Sequence, residues 1–382
     1  MRIGIDLFSL VPRSGRGGGF HRYAERLLAA MHGLPTKHEY YLFVNRLNGG
    51  LFPKGDHFVH VRVPLPPYRE VWPFRLAWLH LLLPALAWRY RLDVVHFPFD
   101  TASIALGRPF VVTIHDLITD VYYPLHYPGS VNPIKARYLW RTKRRSAHRA
   151  QVVICPSHAT ALEVERHYGI SSTKISVVPE AADGFADAPR SHSADPYILS
   201  VVSLSPHKNV ATVIEAFARA REQYRLPHEL RLIGMRGTDA SRIEREINAF
   251  ITDGLPLRYL GFVNDDELAA NYAGADLFVF LSYVEGFGLP PLEAMATGIP
   301  VVASDVSSIR EVCGGAAVLV APDDVEAAAT SIGRVLQDRV FASQLSAAGL
   351  KRAGQFSWSQ SATMTLKAYE RAVTNIQKQD RS

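Results

Sequence analysis

The chain has 382 residues, 48% hydrophobic and 20% charged, which is more than one ordinary domain needs and enough apolar material for two cores. That balance excludes a disordered or fibrous chain, and two cysteines are too few for a disulfide framework, so Cys155 and Cys313, each beside an apolar run, are expected as buried thiols in a reducing compartment. The formal charge of +6 is uneven: residues 1–190 hold 24 Lys and Arg against 14 Asp and Glu, the remainder 18 against 22, so an anionic partner is expected for the first part.

Met1 leads straight into Ile3-Gly4-Ile5 without an apolar leader, and a cytoplasmic protein is expected. Ile3–Leu10 reads as a strand, Val11–Gly18 as a glycine- and arginine-rich loop, and Phe20–His32 as an amphipathic helix with Tyr23, Leu27, Leu28 and Met31 on its apolar side. Strand, glycine loop and helix in that order make a phosphate-type seat, although G-x-G-x-x-G is not cleanly met. Tyr40–Val44 and Phe58–Val63 are further strands, followed by the bend Pro64–Pro67. Val71–Trp88 is the most hydrophobic stretch and holds three Trp, but Arg75, His80 and two prolines interrupt it, and about 20 apolar residues are needed to span a bilayer. Two readings stand: a buried helix behind the N-terminal sheet, or a peripheral membrane contact through Trp and Arg.

Asp93–Pro98 and Phe110–Ile114 read as buried strands, the second ending in His115-Asp116. A His at the carboxyl end of a parallel strand either enters the active cleft or satisfies a local hydrogen bond. Lys135–Arg149 carries seven Lys and Arg and no acidic residue at helical spacing. It is either a solvated face or a platform for anionic headgroups or a lipid-linked pyrophosphate, each basic side chain adding about 1 kcal/mol. Nucleic acid is not an expected partner, because interleaved aromatics and a recognisable binding module are missing. Gln151–Cys155 and Lys174–Pro179 read as strands, Ser157–Tyr168 as a helix, and the small, polar Glu180–Pro196 as a linker, with domains 1–188 and 189–356 on either side.

Tyr197–Leu204 opens a second α/β unit, and its loop Ser205–Asn209 leads into the helix Val210–Tyr224 with Lys208 at the entrance, where a cation can neutralise phosphate. Strands are expected at Leu230–Gly234, Leu257–Phe262, Leu277–Leu281 and Ile299–Ala303, with Ser308–Val312 and Ala317–Val320 continuing the sheet. Helices are expected at Asp265–Ala273, from Pro290 to Thr297, and at Asp323–Gln337, Phe341–Ala353 and Trp358–Ala372. The loop Ser282–Leu289 carries Glu285, Gly286, Phe287 and Gly288, and the next helix carries Glu293. Glycines that turn N–H groups outward before a helix N-terminus make a phosphate seat, and a carboxylate on either side accepts hydrogen bonds from hydroxyls. Phosphate between two sets of hydroxyls describes a nucleotide-sugar; the alternative is a helix-start acid and a solvated loop acid.

Glu285-Gly286-Phe287-Gly288-Leu289-Pro290-Pro291-Leu292-Glu293 is an E-x7-E unit that resembles the donor-site signature of the retaining glycosyltransferases of family 4. The resemblance implies the GT-B fold, an α/β architecture of two Rossmann-like domains with parallel sheets facing a central cleft. The acceptor would lie on the first domain and the donor on the second, with a C-terminal helix, 357–382, returning to the first. It implies that Glu285 and His115 approach the transferred sugar, with Asp116 orienting His115. Gly286, Phe287, Gly288 and Leu289 would bind phosphate, Glu293 the ribose, Val263 the base, and Gly18 and Gly19 the sugar-phosphate. Where the family usually has Arg-Lys on the diphosphate this chain has His207-Lys208, and His21 and Ser203 stand at glycine positions. A neutral His207 would leave one positive charge fewer, so donor affinity is expected to strengthen as pH falls. No Asp-x-Asp occurs, so neither metal nor cofactor is expected beside the nucleotide-sugar donor. Tyr283–Glu293 with Val306-Ser307-Ser308 is similar to bacterial mannosyltransferases that build surface polysaccharides, lipopolysaccharide included. Expected therefore are GDP-mannose, with UDP-glucose or UDP-galactose second, a glycan or lipid-linked acceptor, and an anionic membrane surface as a further partner. The rival classes are a sugar-nucleotide epimerase of the same architecture and a non-catalytic nucleotide-sugar or membrane-binding protein.

Overall fold

Short runs such as Val94–Phe97 and Val152–Cys155 have no polar alternation, so a strand made of them must be covered on both faces, which is the situation of a parallel sheet between helices. The computed structural model describes the chain except residues 11–17, 56, 66–71, 104, 128–131, 186–194 and 380–382. It divides into two units, Met1–Pro179 with Trp358–Ser382, and Glu180–Ser357. The division after Pro179 falls earlier than residue 188 because Ala182 and Phe185 are buried in the core of the second unit, so the first part of the expected linker is packed. Its remaining part, 186–194, lies outside the described residues, as do most of the Val11–Gly18 loop, Val71, and Pro66 and Pro67 of the bend.

In the first unit β1 (Arg2–Asp6), β2 (Glu39–Val44), β3 (Phe58–Arg62), β4 (Val94–Phe97), β5 (Phe110–Thr113), β6 (Val152–Cys155) and β7 (Ile175–Val177) form one sheet in the order β3-β2-β1-β4-β5-β6-β7. Every pairing is parallel. Right-handed crossovers then place the β1-to-β2 helix, Gly18–His32, on one face, and the helical segments Trp72–Arg89, Pro133–Arg149 and His158–Tyr168 on the other. The second face has a continuous core that includes Trp78, Leu83, Ala87, Ala147 and Val164, each such side chain of Leu or Val size stabilising the fold by about 1.5–3 kcal/mol. The C-terminal helix, Trp358–Gln379, runs longer than Ala372 and buries Trp358, Ala362, Tyr369 and Ala372 in this unit. Its Tyr369 hydroxyl lies 2.8 Å from Nδ1 of the buried His96, whose Nε2 is 2.8 Å from Thr113 Oγ1. Burial and the neighbouring His115 bring the His96 pKa down to about 3, so this link is neutral.

The strand expected over Ile3–Leu10 stops at Asp6 because two buried asparagines capture the backbone beyond it. Asn45 Nδ2 donates to Phe8 O at 2.8 Å and Leu10 O at 2.6 Å, and Asn48 Nδ2 to Leu7 O at 2.7 Å. Trp72–Arg89 bears out the buried-helix reading on one side only. It is helical with one wide π turn at Trp78–Leu82; Trp78, Leu79, Leu83 and Ala87 are buried, while Phe74, Leu81 and Trp88 are exposed. Among the described residues no helix is long and apolar enough to cross a membrane.

The second unit repeats the plan with β8 (Tyr197–Val201), β9 (Glu229–Ile233), β10 (Leu257–Gly261), β11 (Leu277–Phe280), β12 (Val301–Ser304) and β13 (Val318–Val320), ordered β10-β9-β8-β11-β12-β13 and parallel throughout. Ser308–Val312, expected as a strand, lies in a helix, Ser307–Cys313. Ile309, Val312 and Cys313 are buried on one side of it, and apolar positions three apart share a helix face, whereas in a strand they would point to opposite sides. The helix Ala240–Thr252, with Ile243 and Ile247 buried, has no counterpart among the expected elements. Both cysteines are free and buried, and burial pushes the Cys313 thiol up to about 12 and Cys155 further in the same direction.

Candidate active site

In each sheet the order reverses direction once, between β1 and β4 in the first unit and between β8 and β11 in the second, and ligands of open α/β sheets bind outside the carboxyl ends of strands at such points. In the second unit the loops leaving β8 and β11 are those that hold Lys208 and Glu285, 77 residues apart in sequence. Lys208 Nζ lies 2.6 Å from Glu285 Oε1, with the two side chains 15% and 11% exposed, and sits 5.2 Å above the Phe280 ring. The β11 loop is fixed from three sides. Asn209, in the left-handed conformation at φ +54°, donates to Leu281 O at 3.0 Å and Pro322 O at 2.6 Å. Ser304 Oγ donates to Ser282 O at 2.7 Å, and Ser308 Oγ to Glu285 O at 2.8 Å. The Tyr283 amide donates to His207 O at 2.8 Å, joining the two loops directly.

Gly288 ends the loop at φ +118°, where a Cβ would stand 2.7 Å from Ile309 Cδ1, so only glycine fits this turn. Phe287 is buried beside Phe356 at 5.9 Å between ring centroids and pins the glycine turn to the core. The helix Leu289–Ala296 follows, and its Pro290 and Pro291 carry no N–H. The backbone N–H groups on the chain's approach to this helix are therefore those of Gly286, Phe287, Gly288 and Leu289. Glu293, one turn in, is buried, and the Tyr272 hydroxyl donates to its Oε2 at 2.9 Å. Val263 follows β10, the outer strand, and is packed partly against the core; Gly234 N donates to Gly261 O at 2.9 Å and ties that end to β9. His207 is buried, and burial first, then the Lys208 charge, lowers its pKa well below 6.5. It remains neutral at physiological pH and adds no charge beside Lys208, so a strengthening of donor affinity through His207 belongs well below neutral pH.

In the first unit His115 lies just past β5 and is buried. Its Nε2 is 2.9 Å from Pro98 O, an acceptor, so that nitrogen carries the proton. Tyr23 and Phe20 meet the ring edge-on at centroid distances of 4.6 and 4.9 Å. The backbone N–H of His115 donates to Asp100 Oδ1 at 3.1 Å. Asp116 Oδ1 accepts the Ile118 amide at 2.9 Å and caps the following turn. Gly18 and Gly19 start the helix Gly18–His32, and a Cβ at Gly19 would meet nothing within 4 Å. Packing inside the protein does not demand that glycine.

The structure thus gathers Lys208, Glu285, the Gly286–Leu289 turn and Glu293 at one switch point, and keeps His115, Gly18 and Gly19 in the other unit. Missed from the sequence were Asn209, Tyr272, Ser304 and Ser308, which hold those residues. Of these only Asn209 left a signal, an asparagine between a phosphate-type Lys and a helix, where a left-handed residue fits.

Two family descriptions match, Glycosyltransferase Family 4 over residues 17–183 and Glycosyl transferases group 1 over residues 185–352. The chain is 32% identical over 315 residues to O-antigen chain mannosyltransferase B of Escherichia coli, covering 79% of each chain. It is 30% identical over 284 residues to the serotype-specific mannosyltransferase WbdA of Escherichia coli, covering 71% of this chain and 34% of that longer one. Among solved structures, sucrose-phosphate synthase from Thermosynechococcus elongatus superposes with a TM-score of 0.75 at 21% identity, over 97% of this chain and 98% of that one. With two parallel sheets of this order and matches spanning both halves, the chain belongs to the family 4 glycosyltransferases and has their GT-B fold.

Proposed function

We propose that the protein transfers mannose from GDP-mannose, with retention of configuration, to a glycan or lipid-linked saccharide of a bacterial surface polysaccharide. The observation that carries this reading is the Lys208–Glu285 pair beside the Gly286–Leu289 turn, with Glu293 one helical turn away, in a chain whose relatives are named as O-antigen mannosyltransferases. In the reaction the bond from the anomeric carbon to the diphosphate oxygen breaks, and a bond to the acceptor oxygen forms on the same face. The acceptor proton passes to the departing diphosphate. Lys208 and the turn amides, held in place before substrate arrives, stabilise the charge that develops on the leaving group. Glu285 and His115 take hydroxyls of the transferred sugar, Glu293 those of the ribose, Val263 the base, and Gly18 and Gly19 let backbone approach the sugar-phosphate.

Thermal shift with GDP-mannose, UDP-glucose, UDP-galactose and the free nucleotides tests the donor. At about 100 times its dissociation constant the true donor stabilises the fold by about 2.7 kcal/mol. GDP-mannose is expected to shift the wild type and not a folded Glu293→Ala variant. A shift by a uridine donor alone would replace mannose in this reading, and no shift by any of them would remove the donor site.

The acceptor's surroundings are assigned as an anionic membrane surface. On one layer of the first unit, Phe74, Leu81 and Trp88 are exposed at seven-residue intervals, and the helix Pro133–Arg149 exposes Ile134 with Lys135, Arg137, Arg141, Arg145 and Arg149. Apolar and basic side chains on one layer match headgroups over acyl chains. Flotation with phosphatidylglycerol vesicles, set against phosphatidylcholine, should show binding that falls about tenfold in Leu81→Ser/Trp88→Ser; equal recovery with both lipids would sink the assignment.

A further inference from the structure

We infer that Lys143 is a positioning residue for His115, acting through Asp100. Of the seven Lys and Arg between Lys135 and Arg149 it is the one that is buried, its side chain 6% exposed, and so it belongs to no surface platform. Its ammonium meets three acceptors from three successive pieces of the loops leaving β4 and β5. Nζ lies 3.1 Å from Asp100 Oδ2, 3.0 Å from Asp120 Oδ1 and 3.3 Å from Asp116 O. Lys143 donates to Asp116 O and is ion-paired with the two carboxylates, a compact charge among three oxygens that an ammonium supplies and a planar guanidinium does not.

Each acceptor is fixed again from behind. Asp100 has φ +45°, its amide donates to Thr113 O at 2.8 Å, and its second carboxylate oxygen, Oδ1, accepts the His115 amide at 3.1 Å. Asp120 accepts the Tyr168 hydroxyl from the next helix. Lys143 therefore pins a side chain that holds the His115 backbone, while Pro98 O, at the end of β4, holds its ring at 2.9 Å. Burial disfavours the charge on Lys143, but Asp100, Asp120 and Asp116 together raise its pKa above the usual lysine range, so the pin stays charged. Asp116, for its part, is pushed upward by burial more than Lys143 draws it down, which limits the negative charge the cluster carries. Without the cation, Asp100 and Asp120 repel across a buried space, and the left-handed Asp100 is held only by its bonds to Thr113 O and the His115 amide among those described.

This inference rests on the assignment of His115 to the transferred sugar, and a double-mutant cycle separates the two. His115→Ala, Lys143→Met and the double variant are compared for kcat, donor KM and Tm, using GDP-mannose or whichever donor shifts the wild type. Expected is a loss in kcat of roughly 10- to 100-fold for Lys143→Met, since displacement by about 1 Å costs that much, with donor KM unchanged within about twofold. In the His115→Ala background the same change should cost less than about threefold. Equal losses in both backgrounds would overturn the inference and leave Lys143 as a structural ion. Should Lys143→Met fail to fold, Asp100→Asn takes its place in the cycle: it keeps an oxygen for the His115 amide, removes the ion pair, and must show the same dependence on His115. If His115→Ala itself retains full kcat, it is the assignment of His115 that fails.

Discussion

Glu285→Gln is expected to lose about 10²- to 10³-fold in kcat and yet to bind GDP about tenfold more tightly than the wild type. The two effects come from the two ends of one contact. Glu285 Oε1 stands 2.6 Å from Lys208 Nζ with both side chains mostly buried, so the carboxylate occupies the cation assigned above to the diphosphate. An entering diphosphate must displace that carboxylate and then bear a negative charge a few ångströms away, which at an effective dielectric near 20 is worth on the order of 1–4 kcal/mol before solvent screening. Gln removes the competitor and the repulsion, and nucleotide affinity rises. It also removes the acceptor that, once displaced, is free to take sugar hydroxyls, and turnover falls. Isothermal titration with GDP and steady-state transfer measured on the same preparation separate the two. Affinity and turnover falling together would mean that Glu285 mainly supports the loop, and that the ion pair does not compete with substrate.

The donor half of this arrangement was legible because its parts are close in the chain: Glu285, two glycines, two prolines and Glu293 span one loop and one helical turn, and their spacing alone places them around a helix N-terminus. The alternation of short apolar runs with helices likewise pointed to parallel sheets, and the strand order then located the switch points. What could not be read were contacts between residues far apart in sequence. Tyr272 meets Glu293 across 21 residues and Asp100 meets Lys143 across 43, and neither pair leaves a pattern in its own segment. Within the basic run Lys143 departs from the exposed face for a physical reason. Lys143 lies on the same helix face as Ala136 and Ala147, seven residues after one and four before the other, and this buried line of small residues marked its direction more reliably than its charge did. The acceptor of the His115 amide, Asp100, comes from the end of the neighbouring strand, 15 residues away, and no local pattern announces it.

Lys208→Met should be the most damaging single change to donor binding, and the manner of its rescue distinguishes charge from packing. Removing the cation takes away the side chain assigned to the diphosphate, and donor affinity should fall about 100-fold or more. It also leaves Glu285, 11% exposed, without its partner, and uncovers the Phe280 ring over which the ammonium had stood. An unpaired carboxylate in such a place costs about 2–4 kcal/mol, less than a fully buried one because some water reaches it. Adding Glu285→Gln to Lys208→Met replaces the orphaned ion by a neutral side chain of the same shape, so most of the lost stability should return while donor binding does not. Urea unfolding of the wild type, both single variants and the double variant measures the first quantity, and titration with GDP-mannose the second. If stability and donor binding recovered together in the double variant, Lys208 would be a structural partner of Glu285 and the diphosphate would have to rest on the Gly286–Leu289 amides alone. Recovery of stability only is the outcome expected of a cation placed for the leaving group and held by a carboxylate until substrate arrives.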